Sequence, residues 1–326
     1  MRSIFEINNQ IFQVYFFRNR DTVNISEKYL FKNNLLDYYA VLEDKRFYKY
    51  DERIKDVEQL IRIFNQIEKK TGIPYYTMKS FLNYPFIDDD IDFIITKNGY
   101  KTYVRELKEM GFIHRSDLAD VREPMKRMFR HKDIGIIPHV HSEVSWNGII
   151  TCDKDDVFKY AEWREIGGEK FRVPSATDEL LIAIGHFLFE NYYFKIGEFI
   201  YNKELLNSEI DYDRIEKISK EYGYSKGVNL FFEYLKGISD AYQMDLNIPV
   251  KYVSKVPFIK KEKVFPYYVP YQKLIPVYYE NFLMGAKKLQ IINLFRKVFT
   301  YTLVGYLWKY LLQLKRQKKY LSYFQD

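Results

Sequence analysis

Apolar residues recur at helical spacing between positions 51 and 71, where Ile54, Val57, Leu60, Ile61, Phe64 and Ile67 share one side of a 3.6-residue repeat. Asp51 is placed to cap this helix and Gly72 to end it, and Pro74 forces an exit. The period then shortens. Residues 75–80 read as a strand, and a link containing Pro85 leads to Ile87-Asp88-Asp89-Asp90-Ile91-Asp92-Phe93-Ile94-Ile95, a second strand with acids at its leading end. Upstream, Ile11, Phe12, Val14 and Phe16 predict a hairpin or sheet edge within residues 1–50. Downstream comes a turn at 96–99, then a helix over about 100–110 with Tyr103, Val104 and Leu107 inward and Gly111 as its stop. A further strand is expected from Ile134 into Val144 and on through Trp146 to Ile150, with Pro138 marking an edge or a bulge.

The second half changes character. Residues 154–173 predict a short helix and a hairpin about Gly167-Gly168. A strongly apolar helical segment follows from Pro174 to about Leu206, with Thr177 and Asp178 as capping candidates. Helices are expected over 212–222 and 225–243, an extended crossing segment over 244–276 where five of the ten prolines lie, and a long helix or helix pair over 278–320. This order predicts an α+β fold: a mixed sheet with flanking helices in residues 1–173, followed by a helical domain in 174–326.

Composition describes an ordinary globular chain, 47% hydrophobic and 29% charged. The single cysteine, Cys152, excludes a disulfide framework within the chain and fits a reducing, cytoplasmic setting. The first residues carry no signal-peptide core, and no apolar run reaches the roughly 18 residues of a membrane span. The net charge of +7 is unevenly placed: residues 244–326 carry 15 Lys and Arg against 4 Asp and Glu. A basic tail on a mildly acidic body suggests an anionic partner, and a solvated helical surface is the plainer reading.

Candidate chemistry concentrates on the acidic strand. Alternation puts Asp90 and Asp92, with Asp88, on one face and Ile91, Phe93 and Ile95 on the other. Carboxylates about 7 Å apart on one face repel unless a cation sits between them. Hard divalent ions such as Mg²⁺ choose oxygen ligands of this kind, and a pair of them clamps a phosphoryl group. A solvated acidic turn is the competing reading. His139, His141 and Glu143 alternate on another predicted strand, a pattern that also suits Zn²⁺ or Fe²⁺. His186, on an apolar helix, reads as a core residue. The closing segment, ending in Lys315-Arg316-Gln317-Lys318-Lys319, admits three readings: a packed helix with a charged end, an interfacial helix on anionic lipid, or a nucleic-acid arm.

Met78-Lys79-Ser80, then Tyr84-Pro85, then Asp90-Ile91-Asp92-Phe93-Ile94-Ile95, in this helix-strand order, resembles the nucleotidyltransferase superfamily of DNA polymerase β type. The likeness is to the branch with a Lys-Gly pair before the Asp-x-Asp strand, and it spans roughly residues 50–205. It implies a nucleotidyltransferase-like sheet and Mg²⁺-dependent transfer of a nucleoside monophosphate from a nucleoside triphosphate to an acceptor. Asp90 and Asp92 would hold two Mg²⁺ ions, and Lys79 and Ser80 would lie beside the triphosphate. Arg127 and Arg130 are added as phosphate clamps, because guanidinium matches phosphate geometry. The chain departs from the pattern twice. Ser80 stands where the branch has glycine, and His139 stands where its Asp-hydrophobic-His element carries the third carboxylate. Glu143 is then the nearest acid, with Asp133 at the start of the strand, and His139 is the alternative general base. The acceptor (RNA, protein, small molecule or lipid) is not named by the sequence. Two further readings stand beside this one: a catalytically degenerate module binding nucleotide or RNA, and a membrane-peripheral enzyme of glycolipid or polysaccharide assembly whose tail, 278–320, rests on anionic lipid.

Overall fold

The computed structural model describes residues 48–79, 90–114, 124–257, 259 and 267–287. The predicted N-terminal hairpin, Ser80, Asp88, Asp89 and the basic cluster 315–319 lie outside them.

Helix α1 (Tyr48–Thr71) begins three residues before Asp51, which is therefore inside the helix rather than its cap. It stops at Gly72, whose φ of 69° few side chains tolerate. Strand β1 (Tyr75–Met78) pairs antiparallel with β2 (Asp90–Ile95), and β2 pairs parallel with β5 (Ile137–His141). Strands β4 (Lys126–Arg130) and β3 (Ile113–His114) complete a five-stranded mixed sheet in the order β1-β2-β5-β4-β3. Pro138 thus sits in the central strand, not at an edge. Its missing N–H is tolerated because the β4 ladder begins one residue later, at His139.

Alternation along β2 decides what covers each face. Ile91, Phe93 and Ile95 meet α1 and α2 (Tyr100–Glu109) in one core with Leu60, Phe64, Tyr103 and Leu107. Phe64 stacks on Phe93 at 3.6 Å, and the Tyr103 hydroxyl donates to the Ile73 carbonyl at 2.8 Å. The opposite face carries Tyr76, Met78 and Ile94, which join a second core with the helical half. The sheet is therefore sandwiched, and the α+β class with a mixed sheet and flanking helices holds. Short pieces frame the second core, the β6 (Val144–Trp146) and β7 (Ile149–Cys152) hairpin and α3 (Lys154–Lys159), whereas the β8 (Glu162–Ile166) and β9 (Glu169–Val173) hairpin, turning at Gly167-Gly168, lays Phe171 and Val173 into the first.

Helix α4 (Ala176–His186) is capped by Ser175, whose hydroxyl accepts from the Asp178 N–H, and not by Thr177 or Asp178. The predicted continuous helix to Leu206 is broken. A π-helical turn occupies Phe187–Asn191, Tyr192 takes a left-handed φ of 60°, and β10 (Tyr193–Phe194) precedes α5 (Ile196–Leu205). Helices α6 (Tyr212–Tyr222) and α7 (Ser225–Ala241) match expectation. The proline-rich segment does not stay extended: after β11 (Tyr267–Tyr268), α8 (Tyr271–Lys287) carries Pro276 within it. Among the described residues no helix is long and apolar enough to cross a membrane.

The α4–β7 contact gives a first prediction. A Cβ on Gly185 would stand 2.8 Å from the Thr151 Cγ2, a buried and rotationally stiff neighbour. Gly185→Ala should therefore lose about 1–3 kcal/mol by overpacking, read as a lowered urea midpoint, even though alanine favours helix. An unchanged or raised midpoint would show that α4 can retreat from the hairpin.

Candidate functional site

Four elements converge where β2 begins. Paired residues on neighbouring strands share a face, so the register Met78↔Asp92↔His139↔Met128 sets Asp92 and His139 side by side. Two residues on, Lys126↔His141 adds a second imidazole and an ammonium to that face. Chain reversal after β1 places Lys79 in the left-handed region, at φ 63°. The Glu179 carboxylate of α4 holds this conformation, accepting the Lys79 N–H at 2.5 Å. A left-handed lysine is strained backbone, and such strain persists where surrounding contacts fix it.

Asp92 is the hub and is buried. Its Oδ2 meets Lys79 Nζ at 2.6 Å; its Oδ1 meets His141 Nε2 at 2.8 Å and His139 Nδ1 at 3.3 Å. The same His139 Nδ1 lies 3.2 Å from Asp90 Oδ2, and Asp90, 40% exposed, is the solvent-facing member. Lys79 Nζ also sits 4.5 Å above the Trp146 ring, which packs against the His186 ring at 4.6 Å, tilted by 58°. From the π-helical turn, Glu190 approaches to 3.6 Å from His186 Nε2.

Electrostatics follow from this packing. Burial would raise the Asp92 carboxyl, but the Lys79 charge and the two imidazoles hold it well below the usual carboxylate range. Burial would likewise lower the Lys79 ammonium, but Asp92, Glu190 and Asp90 raise it, so the pair is ionised. Burial pushes His141 down to about 4 and His186 down to about 3, keeping both neutral near pH 7. Against the effect of burial, Lys126, His186 and Lys79 draw Glu190 down to about 2. Burial pushes Glu179 up to about 7, despite hydrogen bonds from Tyr201 and the Lys79 backbone. The result is a buried set of alternating charges with neutral imidazoles between them.

The expected residues fall unevenly about this set. Asp90, Asp92, His139 and Lys79 lie together. Glu143 does not join them, because β5 ends at His141 and its alternation ends there too; the Glu143 carboxylate turns to Lys154 at 3.4 Å. Arg127 alternates onto the opposite face of β4 from Lys126 and lies 3.4 Å from His114, away from Asp92. Arg130 shares the face of Lys126 but is exposed at the far end of the strand. Asp133 is in the turn before Ile134, beside His131. Sequence reading missed Lys126, Trp146, Glu179 and Glu190. Only the helical register of His186 and Glu190, four apart, hinted at them.

Asp92, His139 and His141 are buried and bring three ligand atoms within 4.8 Å of one another, so this group could hold a metal ion. Two Mg²⁺ ions fit these residues poorly. Mg²⁺ requires a near-octahedral shell of oxygens. The site offers Asp90 and Asp92 with two imidazoles between them, and Lys79 already occupies Asp92 Oδ2.

No protein-family model matches the chain, and no curated protein matches it. Among solved structures, it is similar to a crystal structure titled as lincosamide antibiotic adenylyltransferase LnuA, lincomycin-bound. That similarity covers 46% of this chain and 94% of the other, at 13% identity and a TM-score of 0.32.

Proposed function

We propose that the chain binds a nucleoside triphosphate at the head of β2 and transfers its nucleoside monophosphate to an acceptor hydroxyl. The observation that carries this reading is the ion pair of Asp92 with Lys79, the residue that follows the neighbouring strand, on the face that Asp90 shares. Asp90 is the solvent-facing carboxylate, so the triphosphate approaches from its side. Lys79 sets positive charge beside that entry, and its pairing with Asp92 keeps the buried carboxylate ionised and aimed. In the transfer, the acceptor hydroxyl gives its proton to water and its oxygen bonds to the α-phosphorus, as the bond from that phosphorus to the bridging oxygen breaks and pyrophosphate leaves. Fixed charges help most where charge develops in the transition state.

A second reading draws on one observation: an imidazole, His139, stands at the position of the third carboxylate, and Glu143 is paired elsewhere. A module that binds nucleotide without transferring it fits that substitution. Calorimetric titration with each nucleoside triphosphate and divalent cation should give binding that weakens at least tenfold in the Asp90→Asn, Asp92→Asn double variant. No binding, or binding indifferent to those substitutions, sinks both readings. Binding with no labelled monophosphate reaching any RNA, protein or lipid fraction of a lysate favours the module.

A further inference from the structure

We infer that Asp90, Asp92, His139 and His141 form a site for one borderline first-row transition ion, of the Zn²⁺ or Fe²⁺ kind, in preference to Mg²⁺. Asp92, His139 and His141 each bring a ligand atom within 4.8 Å of the others, and Asp90 stands beside His139. Around an ion with bonds of about 2.1 Å, neighbouring ligand atoms stand roughly 3.0–3.4 Å apart. Here Asp92 Oδ1 to His141 Nε2 is 2.8 Å, Asp92 Oδ1 to His139 Nδ1 is 3.3 Å, and His139 Nδ1 to Asp90 Oδ2 is 3.2 Å. Those four atoms come from one face of two parallel strands, β2 and β5, on which Asp92 and His139 are directly opposite and Asp90 and His141 lie two residues to either side.

Charge leaves room for the cation. Lys79 engages Asp92 Oδ2 and leaves Oδ1 turned toward both imidazoles, so ammonium and ion take opposite oxygens of one carboxylate. The donor chemistry selects the class of ion. Neutral imidazole suits Zn²⁺, Fe²⁺ or Co²⁺, whereas Mg²⁺ keeps oxygen and water.

This inference shares its site with the nucleotidyl reading, but its test uses no nucleotide, so either can fail alone. The full chain, stripped with chelator, is titrated with Co²⁺ in millimolar Mg²⁺ and followed by visible absorption, with Zn²⁺ as competitor. One equivalent should bind. His139→Ala should weaken Co²⁺ by at least about 100-fold, more than the loss of an outer-sphere partner. His139→Asp should shift the Co²⁺:Mg²⁺ preference toward Mg²⁺ by a similar factor. Should those variants fail to fold, pulsed electron paramagnetic resonance of the Cu²⁺-loaded wild type decides: coupling to two imidazole nitrogens supports the site. An all-oxygen signal overturns it, as do Co²⁺ binding indifferent to His139 and displacement of Co²⁺ by equimolar Mg²⁺.

Discussion

Asp92→Asn is expected to lower folding stability by about 3–5 kcal/mol, the loss typical when one partner of a buried ion pair is removed. The loss comes from what remains behind. Lys79 Nζ sits 2.6 Å from the missing charge, three-quarters shielded and held over the Trp146 ring, and its backbone is fixed by Glu179, so water replaces the lost carboxylate only in part. The amide keeps one oxygen, so its NH2 must face either the ammonium or the two imidazoles, donor against donor. Removing the stranded ammonium should then restore much of the stability. In the Asp92→Asn, Lys79→Met double variant the urea midpoint should rise again, with a coupling energy of about 1–3 kcal/mol between the two positions. Strict additivity of the two losses would mean that Lys79 finds other partners, and the pair would not be the hub of the site.

The sequence made this pair half visible. Alternation along β2 separates Asp90 and Asp92 from Ile91 and Phe93 whatever the tertiary structure, because a strand has only two faces. The same rule misled at Glu143: it holds only while the strand lasts, and β5 ends at His141. Arg127 stands out in the sequence by its guanidinium alone; it faces away from Lys126, and nothing local fixes which face of β4 meets β5. Trp146, Glu179 and Glu190 reach the cluster from a hairpin, a helix start and a π-helical turn distant in sequence. No periodicity encodes such a meeting. The break after His186 was equally hidden, because Phe187, Leu188 and Phe189 are as apolar as the helix before them.

Stability should fall as pH drops from about 6.5 toward 4, and the buried imidazoles set the sign. An unfolded histidine takes its proton near pH 6.5, whereas folded His141 waits until about 4 and folded His186 until about 3. Between those limits the unfolded chain binds up to two more protons than the folded one, and each tilts stability by about 1.4 kcal/mol per pH unit. Glu179 opposes them. Its folded value of about 7 lies above the ordinary carboxyl, so its stabilising proton is fully held below about pH 4.3 and is lost as pH rises through 7. The net slope in the window is therefore positive with pH but shallower than two protons. His186→Phe, which keeps a ring against Trp146 at 4.6 Å, should reduce the slope of the urea midpoint by about one proton. Glu179→Gln should steepen it. A slope unmoved by His186→Phe would mean that this imidazole takes its proton in the folded state, through Glu190 at 3.6 Å. The cluster would then carry a third internal cation.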